Sequence, residues 1–299
     1  MSAKIIDGQA IAAAVREEWK GRVDRLHRRD IVPGLAVVMV GDHAASHVYV
    51  RNKVKACAAI GLHSEVHKLR ADIDEEAVLA RIQALNANPA IHGILVELPL
   101  PPHINKDKVL DTISVEKDVD GSHCCNGGAL VAGDPVFWPC TPYGIQCLLE
   151  HLQIPIEGSS AVVVGRSKTV GMPMAFMLLK KGATVSICSS KTRDLALYTR
   201  LADILVVAVG KPNLITGAMV KEGATVIDVG INRLPDGQLV GDVDFATVRE
   251  RADHITPVPG GVGPMTITML IANTVLAAEK LTRVLALRRE CHDQYLVAA

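Results

Sequence analysis

Aromatic residues make up only 3% of this 299-residue chain, and neither sign of charge predominates, with 32 Lys and Arg against 32 Asp and Glu. Scarce aromatics leave the core to Ala, Val, Leu and Ile, within a hydrophobic share of 49%. Such a composition suits parallel sheets covered by helices. Balanced charge provides no global field to recruit nucleic acid or an anionic membrane. The seven cysteines include no C-x-x-C pair and no Cys/His spacing of a metal site, and two of them, Cys124 and Cys125, are adjacent. Reduced thiols are therefore expected rather than disulfides or zinc, with no metal among the site residues. The segment Met1–Gly8 has no apolar signal-type core. The longest apolar stretch, near Met269–Ala278, is interrupted by Asn273 and Thr274 and is too short to cross a bilayer. These absences predict a soluble, cytoplasmic protein with room for two domains.

What is present is a nearly unbroken alternation of strand and helix signals, hence an α/β fold with open sheets. Asp7 can cap a helix running to about Arg29, with Ile11, Val15 and Trp19 four apart. Leu35–Val40 reads as a buried strand, Ala45–Ile60 as a helix stopped by Gly61, and Gly93–Val96 as a strand ended by prolines. Four more strands are predicted at 161–164, 183–187, 204–207 and 225–228, then one long helix over Met265–Leu287. Turn-rich segments at Gly133–Pro142 and Thr256–Pro264 bracket the later strands. They mark a dinucleotide domain over 141–264 inserted into a first domain of residues 1–140 and 265–299, to which the last helix returns.

The inserted segment carries the cofactor signal. Ala161-Val-Val-Val-Gly165-Arg166-Ser167 breaks a buried strand at a glycine, and a helix opens near Gly171. Backbone N–H groups at such a corner can receive a pyrophosphate. An NAD site usually has Asp or Glu at the end of the next strand; here Ser189, Ser190, Lys191 and Arg193 stand there, which suits the 2′-phosphate of NADP. The Gly165-x5-Gly171 spacing departs from G-x-G-x-x-G, and a bare corner of the fold would look similar.

In the first domain Tyr49 and Lys53 share one helix face, a spacing that a surface lysine beside a half-buried tyrosine also satisfies. Glu97 ends a buried strand, where α/β sheets bind ligands. Lys117-Asp-Val-Asp120-Gly121 is an acidic turn of a kind that is usually structural. Thr256–Thr266 has three glycines and three prolines in eleven residues, a rigid hinge or a backbone-lined ligand wall.

Taken together, Tyr49-Val-Arg-Asn-Lys53, Gly93-Ile-Leu-Val-x-Leu-Pro-Leu-Pro101, Lys117-Asp-Val-Asp-Gly121, Pro139-Cys-Thr-Pro142, Gly165-Arg-Ser167, Asp228-Val-Gly-Ile-Asn232, Gly241-Asp-Val-Asp244 and Thr256-Pro-Val-Pro-Gly-Gly-Val-Gly-Pro-Met-Thr266 follow one another over nearly the whole chain. In this order they resemble the bifunctional methylenetetrahydrofolate dehydrogenase/methenyltetrahydrofolate cyclohydrolases. The resemblance implies a folate-binding catalytic domain and a Rossmann-like NADP domain facing each other across a cleft. It implies oxidation of 5,10-methylenetetrahydrofolate by NADP, then hydrolysis of the methenyl product to 10-formyltetrahydrofolate, in a homodimer. Tyr49 would stack on the folate, Asp120 would pair with the pterin amino edge, and Gly261 and Pro264 would wall the site. Gly165, Arg166 and Ser167 would hold the cofactor phosphates, Ser190 the 2′-phosphate, and Ile231 the nicotinamide side. Lys53 would serve hydrolysis as base or as polariser of the developing oxygen.

The chain departs from the family pattern at Glu97, where a glutamine is usual. A carboxylate there favours the ammonium form of Lys53, so a neutral-base mechanism would leave the dehydrogenase intact and the cyclohydrolase weak. Ser122, Cys124, Cys125 and Ser189 are further departures. A shikimate-dehydrogenase-like oxidoreductase shares the two-domain logic, and a binding protein without turnover is a third reading. The Pro-Gly-Gly-Val-Gly-Pro loop favours the folate enzymes, and retention of Lys53, Asp120 and the cofactor turn favours catalysis.

Overall fold

The computed structural model describes residues 2–42 and 44–297, with side chains omitted at 44–46 and 283–297. In chain order the elements are β1 (Lys4–Ile5), α1 (Gly8–His27), β2 (Gly34–Val40), α2 (Ala44–Ala59), β3 (His63–Leu69), α3 (Glu75–Ala87), β4 (Gly93–Val96), α4 (Lys106–Thr112), α5 (Cys124–Ala132) and α6 (Cys140–His151). There follow β5 (Ser160–Val164), α7 (Gly171–Lys180), β6 (Thr184–Cys188), α8 (Leu195–Thr199), β7 (Ile204–Val207), β8 (Thr225–Asp228), the two-stranded β9 (Asn232–Arg233) and β10 (Leu239–Val240), α9 (Phe245–Arg249), β11 (His254–Ile255) and α10 (Val262–Val297). The chain is α/β throughout and divides into two compact units.

One unit comprises Arg16–Asn126 and the chain from Leu270 onward. Its sheet is parallel, in the order β3-β2-β4. All seven residues of the central β2 are buried, as are all four of β4, and each large aliphatic side chain so removed from water contributes roughly 1.5–3 kcal/mol. Val78, Ile82 and Leu85 of α3 close one face over Ala36, Val38 and Ile94. Because β3 and β4 flank β2 on opposite sides, the strand order reverses between β2 and β4, and their carboxyl ends open the crevice where such sheets take ligands. Helix α10 joins this sheet's loops: Asn273 Nδ2 donates to the carbonyl of Val119 at 2.8 Å. Arg22 also pairs with Glu279 while lying 4.4 Å from the Trp19 ring centroid.

The other unit comprises the chain up to Val15 with Gly127–Met269. Its six strands run in the order β1-β11-β8-β7-β5-β6, all parallel. Here the order reverses between β5 and β7. Residues 2–15 and 127–140, which the limits expected from sequence place with the folate-binding part, group by packing with the six-stranded sheet. The physical reason is β1: Lys4 and Ile5 pair with His254 and Ile255 of β11, and two-residue strands are too short to show an alternating pattern. Asp7 then starts α1, its Oδ1 accepting from the N–H groups of Gln9 and Ala10, each at 3.0 Å.

Helix α10 also corrects the expectation that no apolar stretch is long enough to span a bilayer. Val262–Thr282 is long and apolar enough by length and composition, but 67% of its apolar window is buried within the protein, which makes it a core helix.

Gly8 lies directly against the backbone of Gly261, and a Cβ there would overlap the Gly261 carbonyl oxygen. Backbone cannot swing aside as a side chain can. Gly8→Ala should therefore destabilise the fold by about 1–3 kcal/mol, read as a lower urea midpoint; an unchanged midpoint would show that the approach is loose.

Candidate active site

Helix α2 places Tyr49 and Lys53 one turn apart. The Lys53 Nζ donates to Glu97 Oε2 at 2.6 Å, and the two side chains are only 13% and 10% exposed. Glu97 follows β4 directly and extends its pairing, its N–H donating to the Val38 carbonyl at 2.8 Å. The ion pair therefore sits where the strand order reverses. A pair this little exposed holds its geometry better than a surface bridge, because both partners are largely shielded from water.

The acidic turn separates into structural and available groups. Lys117 is buried and caps α3, donating from Nζ to the carbonyls of Leu85 and Asn88 at 3.2 and 2.8 Å. Asp118, 1% exposed, accepts from Ser122 N–H, His123 N–H and Asn126 Nδ2 at 3.1, 2.8 and 2.7 Å. Val119 is in the core. Asp120 alone is half-buried rather than enclosed, and its Oδ2 accepts from the Ser122 hydroxyl at 2.9 Å. Three residues of the turn thus hold the fourth.

In the six-stranded unit, Gly165 ends β5 with φ of +126°, and an added Cβ would overlap the Ala208 carbonyl at the end of β7. A Cβ at Gly171 would overlap the Gly165 carbonyl. Both glycines are thus required for the close strand–turn–helix corner. The Ser167 Oγ accepts from the N–H groups of Val170 and Gly171 at 3.1 and 3.2 Å. Arg166, Ser167, Ser190 and Lys191 are exposed at the carboxyl ends of β5 and β6, and Ile231 is 45% exposed after β8. Gly261 is buried and Pro264 half-buried at the start of α10. These residues belong to one unit, and Tyr49, Lys53, Glu97 and Asp120 to the other.

Two carboxylates without a role in the sequence reading organise the first of these regions. Asp242, fully buried, accepts from the N–H groups of Val209, Gly210 and Lys211 at 2.7, 2.9 and 2.9 Å, and from Asn232 Nδ2 at 2.9 Å. It ties the loop after β7 to the loop carrying Ile231. Asp228 accepts from the N–H groups of Gly230, Asp242 and Val243 at 2.9, 2.9 and 3.0 Å. Periodicity could not reveal these contacts. The only sequence signal is an acid placed directly after a valine strand or between Gly and Val, as in Asp228-Val-Gly and Gly241-Asp-Val.

A two-unit α/β protein with a dinucleotide-type corner and a buried lysine–carboxylate pair at a strand-order reversal belongs to a class of cofactor-dependent enzymes. Residues 6–120 match the tetrahydrofolate dehydrogenase/cyclohydrolase catalytic domain, and residues 139–282 the NAD(P)-binding domain of the same family. The chain belongs to that family. A relative named bifunctional protein FolD from Nitrosospira multiformis is 61% identical over 280 residues, covering 94% of this chain and 97% of that one. The crystal structure of the bifunctional enzyme FolD, methylenetetrahydrofolate dehydrogenase/cyclohydrolase, from Campylobacter jejuni is 50% identical with a TM-score of 0.91, over 93% of this chain and 99% of that one. The Trypanosoma brucei methylenetetrahydrofolate dehydrogenase-cyclohydrolase, complexed with NADP cofactor and inhibitor, is 40% identical with a TM-score of 0.91, over 95% and 99%.

Two outcomes check the carboxylate framework. Asp242→Asn would turn an NH2 group toward backbone N–H donors, so it should cost about 1–3 kcal/mol and raise KM for the dinucleotide. Unaltered stability and KM would remove Asp242 from this role. Burial pushes the carboxyls of Asp118 and Asp228 each up to about 6 from the ordinary 3.8, against the hydrogen bonds that favour the anion. Between about pH 4 and 6 the folded chain then holds more protons at these positions than the unfolded chain. Their contribution is complete below that window and is lost as pH rises through it. Urea unfolding should show the parent protein losing stability relative to Asp228→Asn over this range; a constant difference would contradict the assignment.

Proposed function

We propose that this chain is a bifunctional enzyme that oxidises 5,10-methylenetetrahydrofolate with NADP and hydrolyses the methenyl product to 10-formyltetrahydrofolate. The observation that carries the reading is the buried Lys53–Glu97 pair at the strand-order reversal of a chain whose two halves match the two domains of the family. Family membership favours this over a shikimate-dehydrogenase-like activity. The 61% relative named as bifunctional favours it over a chain with a weakened second activity.

The residues fit NADP. The glycine corner leaves backbone free at the end of β5, and the residues after β6 are Ser189, Ser190 and Lys191, with no carboxylate to repel a 2′-phosphate. When bound, NADP supplies the acceptor for a hydride from the one-carbon bridge. Gly165, Arg166 and Ser167 would hold the phosphates, Ser190 the 2′-phosphate, and Ile231 would flank the nicotinamide. Since the bridge nitrogens stabilise the cation that hydride loss leaves, this step asks the protein chiefly for positioning. Tyr49 stacks on the folate rings, Asp120 accepts two parallel N–H bonds from the pterin edge, and Gly261 and Pro264 wall the substrate.

For hydrolysis, the 2.6 Å contact favours Lys53 as a charged donor over Lys53 as a neutral base. Glu97 holds the ammonium group in place, and the Nζ protons stabilise negative charge developing on the attacked oxygen. Glu97 then replaces the usual glutamine without loss of the second activity. The enzyme is cytoplasmic and a homodimer on this reading, with exposed Ile187 on the edge strand β6 and Leu197 and Leu201 on or beside α8 as apolar surface for a second copy.

Product analysis with methylenetetrahydrofolate and NADP should yield both NADPH and 10-formyltetrahydrofolate. Lys53→Met should slow methenyl hydrolysis by about 100-fold or more while the chain still folds and binds dinucleotide. Glu97→Gln should change the rate and pH profile of hydrolysis and leave hydride transfer within about twofold. Hydrolysis indifferent to both substitutions would overturn the assignment.

A further inference from the structure

The adjacent cysteines that the folate reading leaves without a role meet a third donor in the folded chain. One ring nitrogen of His123 and the sulfurs of Cys124 and Cys125 all lie within 4.8 Å of one another, and Nδ1 is 3.8 Å from the Cys124 sulfur. Donor atoms on one tetrahedral zinc are separated by about 3.5 Å, as Zn–S and Zn–N bond lengths require. We propose that His123, Cys124 and Cys125 form a binding site for a borderline-soft divalent cation of the zinc type.

Five features of the surroundings support it. The Cys125 N–H donates to His123 Nδ1 at 3.0 Å, so this nitrogen is the unprotonated one of the ring, and a metal would take its lone pair in place of that N–H. The backbone presenting the donors is held by one buried carboxylate, since Asp118 accepts from Ser122 N–H, His123 N–H and the Asn126 side chain. Such pre-positioning lowers the ordering cost of a site. His123 is buried while Cys124 and Cys125 are exposed, which leaves an entry path and an open side for a fourth ligand. Asp111 stands next to the cluster, accepting from the Cys124 N–H at 3.1 Å, and adds negative charge where a dication would sit. The two sulfurs begin α5, where the helix dipole favours anionic ligands.

Softness selects the metal class. Two thiolates and an imidazole suit zinc and disfavour magnesium or calcium, which demand oxygen ligands. The C-x-x-C spacing that sequence inspection seeks is absent because these donors are consecutive residues at a helix start, and the turn held by Asp118, rather than an intervening loop, brings them together. The proposal does not depend on the folate reading.

The test uses the full chain, purified reduced and metal-free. Titration with Zn²⁺ against a chromophoric chelator should give one tight equivalent. Co²⁺ should give a thiolate charge-transfer band with tetrahedral d–d absorption. Replacing both exposed cysteines (Cys124→Ser with Cys125→Ser) should abolish the band and weaken Zn²⁺ binding at least about tenfold. His123→Asn should weaken it similarly while the cobalt spectrum keeps a sulfur contribution, with far-UV circular dichroism confirming the fold. Unchanged stoichiometry and affinity in the double cysteine variant, meaning an adventitious ion only, would overturn the proposal. So would a Co²⁺ spectrum without a thiolate band.

Discussion

Buried carboxylates answered by backbone N–H groups organise the loops of both units. A carboxylate taken out of water is costly unless several donors replace the lost solvent, and once they do, those donors are fixed in place. Asp118 gathers the turn from Ser122 to Asn126. Asp242 gathers Val209 to Lys211 and Asn232. Asp228 secures the chain at Gly230, Asp242 and Val243. The loops held by Asp228 and Asp242 lie beyond the carboxyl ends of β7 and β8, where an α/β fold builds its chemistry. The penalty of burial surfaces as the raised carboxyl values at Asp118 and Asp228, so the devices that order the loops also carry a pH dependence.

The same economy explains which polar groups remain for ligands. Of the Lys117–Asp120 turn, the first three residues are committed to capping, loop closure and core, and Asp120 keeps a half-exposed carboxylate. At the other strand-order reversal, the glycines at 165 and 171 leave backbone uncovered while Arg166, Ser167 and Ser190 stay exposed. Lys53 and Glu97 combine both conditions, being nearly enclosed and yet paired with each other. An enclosed ion pair is worth little as a stabilising device beside an apolar pair of equal volume, and its placement at the end of β4 favours a chemical use.

Much of this was readable from residue order. Continuous Val and Ile runs marked β2, β4, β5, β7 and β8, since strands buried on both faces are apolar throughout. The glycine corner and the hydroxyl and basic residues after β6 pointed to NADP, because the relevant chemistry lies in a short contiguous segment. What escaped was whatever depends on a distant partner. The two-residue strands β1 and β11 have no pattern of their own, so their pairing is not legible in the sequence. Asp242 looks like an ordinary turn acid until the loop after β7 is placed around it. Cys124 and Cys125 carry no recognised spacing, and their meeting with His123 Nδ1 follows from a turn conformation.

Residue order alone settled the alternation of strand and helix, the family, and the types of side chain available for catalysis, because these rest on local periodicity and contiguous motifs. Folding in three dimensions decided which charges pair, which are spent on holding loops, and which are left to meet a ligand. Those outcomes depend on burial and on distances between residues far apart in the chain, such as Lys53 and Glu97, and no local pattern encodes either quantity.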